Sequence, residues 1–101
     1  MAGKSKARPV LFALRIDAAA EPGNAFPVGA RRPLLLVARA PNLDAAIEMA
    51  RETLSYHHWG DATLLGSGQV DKFGEEIADP KLRTVVDHAS EHGSGILVYD
   101  L

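Results

Sequence analysis

Leu34-Leu35-Leu36-Val37-Ala38 is apolar at every position. A strand with one face in water alternates apolar and polar residues. A run without alternation belongs to the middle of a sheet and is covered on both faces. These five residues therefore mark the centre of a β-sheet, and the rest of the chain has to supply the cover.

Upstream, Val10, Phe12, Leu14 and Ile16 point one way, and Leu11, Ala13, Arg15 and Asp17 the other. That period of two predicts a half-buried strand over Val10–Asp17. Ala18 to Pro33 reads as a long loop, with turn formers Pro22-Gly23-Asn24, Pro27 and Gly29. Such a loop serves as a crossover, a lid or a mobile excursion. Its apolar Phe26 and Val28 are expected to dock on the core or on a neighbouring subunit. Arg31 and Arg32 fall at the junction of loop and strand. Residues 1–9, with Lys4, Lys6 and Arg8, read as a disordered basic tail.

Downstream, Pro41-Asn42 stops the strand, and Asn42 is a candidate N-cap. Leu43, Ala46, Ile47, Ala50 and Leu54 recur at helical spacing, with Asp44, Glu48, Arg51, Glu52 and Ser55 largely opposite. A helix is expected over 43–58, with Gly60 as its stop. Asp61–Val70 reads as a strand, or as a hairpin in which Gly66-Ser67-Gly68 turns Ala62–Leu65 back onto Gln69–Phe73. Asp79-Pro80 starts a second helix, Leu82, Val85, Val86 and Ala89 form its buried stripe, and Gly93 ends it. Ile96–Leu101 forms a terminal strand.

With the hairpin, residues 34–101 run strand, helix, strand, strand, helix, strand. That order resembles the ferredoxin-like sandwich over about two thirds of the chain. The resemblance is topological, rests on no diagnostic motif, and implies no particular function. The expected fold class is α+β: a two-layer α/β sandwich with a mixed or antiparallel sheet and two helices on one face. Val10–Asp17 would be an extra N-terminal strand at an edge. A simpler hairpin between 10–17 and 34–40 is the alternative. With both helices on one face, the second face of Leu34–Ala38 is left to a partner subunit, a ligand or the 18–33 loop. A homodimer or higher oligomer through the open sheet face is the expected consequence.

The 101 residues suit one domain, placed at 10–101, with a modest core. A net charge of -2 with a pI near 6.0 lacks the basic stripe of a nucleic-acid binder. The chain has no cysteine, which excludes disulfides, thiolate metal ligands and a cysteine nucleophile. No apolar segment approaches a membrane span, and Arg15 and Asp17 interrupt the first apolar run before it resembles a signal peptide. The expected location is the cytoplasm, without nucleic-acid or membrane partners.

The candidate ligand-binding residues are His57, His58, Trp59, His88 and His92. His88 and His92 have the i,i+4 spacing of zincin ligands, but His88-Ala89-Ser90-Glu91-His92 lacks the glutamate of that motif at its place. The pair reads as a polar flank of its helix, with His92 favoured by the helix dipole. His57 and His58 fall on the two edges of the first helix's buried stripe, and Trp59 reads as an anchor in the core or at an interface. Gly66-Ser67-Gly68 lacks the Lys-Ser/Thr ending of a phosphate loop. Asp71, Glu75, Glu76 and Asp79 lack the alternating spacing of a calcium loop. No catalytic residue, metal set or cofactor is implied. The expected function is a small non-enzymatic binding, regulatory or accessory module. The alternative is a small enzyme using histidine acid–base or metal chemistry in a cleft near the helix ends.

Overall fold

The computed structural model describes residues 10–99. The reading of 1–9 as a disordered tail lies outside the described residues, as does the end of the Ile96–Leu101 strand. The elements are β1 (Leu11–Ala20), β2 (Arg31–Arg39), α1 (Leu43–Tyr56), β3 (Trp59–Gln69), a 3₁₀ turn (Gly74–Glu76), α2 (Pro80–His92) and β4 (Ser94–Val98). The strands form one sheet in the order β3-β1-β2-β4, and every neighbouring pair is antiparallel. The class is α+β, and four antiparallel strands with two helices are the elements of a ferredoxin-like sandwich.

Three particulars differ from expectation. The first is the placement of residues 10–17. They do not form an added edge strand; β1 lies between β3 and β2. The simpler hairpin with 34–40 is what forms, in a register that pairs Leu14 with Leu36 and Ile16 with Leu34. That register stacks the largest apolar residues of both strands on one face.

The second is the placement of the helices, which lie on opposite faces of the sheet. Leu34, Leu36 and Ala38 join Leu14, Ile16, Ala46, Ala50 and Leu54 in a core under α1. Leu35 and Val37 join Leu11, Ile77, Val85, Val86 and Ala89 in a second core under α2. Successive strand residues point to opposite faces, so these cores are separated by the sheet. This explains the missing alternation at Leu34–Ala38: α1 covers one face of β2, and α2 covers the other. No partner subunit is needed to account for that run.

The third is the stretch 61–73. It does not turn at Gly66-Ser67-Gly68. β3 runs unbroken from Trp59 to Gln69 beside β1, with two register shifts. Arg15 lies opposite Gly66, where a Cβ would come within 2.7 Å of its guanidinium.

The helix ends follow local chemistry. Asn42 accepts the Ala45 N–H at 2.9 Å, and Asp79 accepts the Lys81 N–H at 2.9 Å ahead of Pro80. Gly93 closes α2 at φ +103°, with its N–H on the Ala89 carbonyl at 2.9 Å. α1 stops at Tyr56, short of the expected 58, and Gly60 is already part of β3. The chain turns instead at His58, a non-glycine residue at φ +62°.

The β1–β2 loop is shorter than expected, 21–30, and it is docked. Asn24 donates from its side-chain amide to the carbonyls of His57 (3.2 Å) and His58 (2.9 Å), while its Oδ1 accepts the Phe26 N–H at 2.9 Å. Glu21 N–H also bonds the His58 carbonyl at 2.9 Å. Phe26 reaches the core as expected, with its ring 5.7 Å from Trp59 and the Arg32 guanidinium 4.9 Å from its centroid. Val28 does not; it is 68% exposed. No helix among the described residues is long and apolar enough to cross a membrane.

Candidate functional site: the cleft along β4

The site is built on a sheet edge. Among the described residues β4 pairs only with β2, so its other side ends the sheet. The C-terminal end of α1 and the 21–30 loop stand above this edge on one face, and α2 stands below it on the other. Between them runs a cleft of about 890 Å³, with residues Ser94 to Val98 along its floor.

The hydrogen-bond phase of β4 decides what the cleft offers. The Gly93 carbonyl accepts from Arg39 N–H at 2.7 Å, and Tyr99 N–H donates to the Pro33 carbonyl at 2.9 Å. In an antiparallel strand, alternate residues turn both backbone groups to the same neighbour. Gly95 and Leu97 therefore bond β2. Ser94, Ile96 and Val98 turn their N–H and C=O groups into the cleft. The side chains of Ile96 and Val98 pack against the α1 core, and Leu97 packs against the α2 core, all of them only partly buried. The Ser94 hydroxyl lies 3.1 Å from that of Thr53 on α1, tying β4 to the helix above.

His57, His58, Trp59 and His88 all line this cleft; His92 does not. Trp59 is buried, as an anchor should be, and the four histidines are exposed. Neither His57 nor His58 is a core histidine, because α1 has ended before them. The rings of His88 and His92 lie tilted at 41° with centroids 4.6 Å apart, and His57 meets Tyr56 edge-on at 5.2 Å. No imidazole forms a hydrogen bond or ion pair among the described residues, so no base–nucleophile pair is in place. No three His, Asp or Glu side chains among the described residues gather as a metal set.

The other surfaces differ in chemistry. The α2 face of β1 and β3 is uncovered over part of its length, because α2 lies over β2 and β4. That open face carries charge. Arg31 donates to Asp17 at 2.7 Å and to Asp61 at 2.8 Å, and Arg15 is exposed beside it. The Asp17 and Asp61 hydrogen bonds raise the Arg31 pKa above its ordinary value. The opposite sheet edge, β3, has two register shifts, Gly60, Gly66 and Gly68, and an aspartate, Asp61, in the left-handed region at φ +47°.

Tyr56, Thr53 and the backbone of β4 were not singled out by sequence. A signal existed: Ser94–Val98 is a short strand without charge or proline. Comparison with protein-family models, curated proteins and solved structures finds no match.

Proposed function

We propose that this protein is a non-enzymatic binding or accessory module that works as an oligomer, using the cleft along β4 as its contact surface. One observation carries the reading: the backbone groups of Ser94, Ile96 and Val98 line an open cleft without partners among the described residues. Peptide groups facing an apolar cleft are strong, directional binding groups for another polypeptide strand. The charged open face over β1 and β3 is less suited to association, because burying Arg15, Asp17 and Arg31 would cost their hydration. Multi-angle light scattering tests the proposal. A mass that is a multiple of 10.8 kDa is expected at high micromolar concentration. A monomer at several hundred micromolar would sink it.

A second reading is favoured by one feature: His57, His58 and His88 share the cleft. Histidine acid–base chemistry on a ligand seated there is the enzyme alternative. Its mark would be a hydrolytic or isomerase activity lost in His88→Ala and retained in His92→Ala.

A further inference from the structure

We infer that the occupant of the cleft is the β4 strand of a second copy, paired antiparallel across a two-fold axis at Ile96. The inference rests on the self-association reading and gives it a surface and a register.

The two edges of the sheet are treated differently. β3 carries two register shifts and an exposed aspartate, features by which natural sheets discourage strand addition. β4 has none of them. Its five residues pair with β2 without a register shift, and it contains no charge and no proline. It is the regular edge, and a regular uncharged edge templates another strand.

The strand is also complementary to itself. A two-fold axis brings each residue opposite a fixed partner from the same strand, so this one strand's composition decides both sides of the pairing. Ser-Gly-Ile-Leu-Val has no charge to repel. Centring the axis on Ile96 places Ser94 opposite Val98 and Gly95 opposite Leu97. All three cleft-facing residues then become reciprocal hydrogen-bonded pairs. On the α2 face, Leu97 lies opposite Gly95, which is itself buried against Val85 and the His88 ring. Register by register this is the centred arrangement: a two-residue shift loses pairs at both ends.

The rim suits such an interface. Tyr56 on α1 is 79% exposed and lines the cleft, and Tyr99 follows β4 directly at 45% exposed. Aromatic residues are enriched in protein–protein interfaces. No carboxylate among the described residues lines the cleft, and the net charge of -2 on each copy opposes association only weakly.

The chain has no cysteine, so a single introduced thiol reports the register cleanly. Reciprocally bonded antiparallel residues have Cα atoms about 5.5 Å apart, inside the range a disulfide spans. Ile96→Cys is expected to cross-link to a dimer under mild oxidation, while Ser94→Cys, far from its own copy in this register, and Leu64→Cys on β3 are not. Val98→Pro removes an outward N–H without touching the β2 ladder, and it is expected to weaken dimerisation at least tenfold while the circular dichroism spectrum stays native. Leu97→Lys, an inward charge on the edge, is expected to do the same should proline disturb the fold. A wild-type oligomer that survives both variants, with cross-linking from Leu64→Cys rather than Ile96→Cys, overturns the β4 register and leaves self-association standing. A wild type that is monomeric throughout overturns both.

Discussion

Val37→Ala tests the arrangement of the helices directly. Val37 is 0% exposed and belongs to the core under α2, not to the one under α1. Truncation removes two methyl groups, a transfer loss of about 1.6 kcal/mol. The site is closed by the sheet on one side and α2 on the other, so collapse is limited, and the residual cavity adds about 1 kcal/mol. The expected loss is about 2–3 kcal/mol, or about 10–20 °C in Tm for a domain of this size. Urea denaturation followed by circular dichroism measures it. A double-mutant cycle sharpens the test. Val37→Ala with Val86→Ala should couple by about 0.5 kcal/mol or more, because both residues line one cavity. Val37→Ala with Leu54→Ala should be additive, because Leu54 sits in the other core across the sheet. A loss below about 0.5 kcal/mol, the usual range for surface substitutions, would mean that α2 does not cover this face. Coupling to Leu54 in place of Val86 would put both helices on one face and refute the description given above.

Three further outcomes are expected. Asp79→Ala should lower stability by about 1 kcal/mol through loss of the cap ahead of Pro80, and an unchanged urea midpoint would show that α2 starts elsewhere. Asn24→Ala should cost about 1–3 kcal/mol, because one side chain ties the 21–30 loop to the His57 and His58 carbonyls; amide exchange in 21–30 should quicken, and unchanged protection would mean the loop is held by Phe26 alone. Dialysed protein should carry no stoichiometric transition metal by elemental analysis, since no three His, Asp or Glu side chains among the described residues gather as ligands. One metal per chain, lost in His88→Ala, would promote the enzyme reading.

Local chemistry was legible in the sequence. Asn42, Asp79-Pro80 and Gly93 act where their side chains and φ preferences place them, because a cap needs only its own few residues. The buried stripes Ala46-Ala50-Leu54 and Val85-Val86-Ala89 also followed from period alone. The site was legible only in part. Trp59, His57, His58 and His88 do share a cleft, but its floor is backbone, and backbone leaves no mark on residue type.

What the sequence determined by itself was the alphabet: four β segments, two amphipathic helices, and a strand apolar on both sides. What covers that strand was a tertiary decision. An apolar run states that both faces are buried; it does not state by what. Leu34–Ala38 is equally satisfied by a second subunit or by α2, and the choice depends on where a helix some 50 residues later comes to rest. Strand order is likewise non-local. Gly66-Ser67-Gly68 has the composition of a turn, and in isolation it would bend. Beside β1, its backbone groups on that side gain partners along the ladder, and that long-range pairing outweighs the local preference. The free edges are the remainder of the same decision: β3 and β4 end the order, and their outward amides have no strand partner among the described residues.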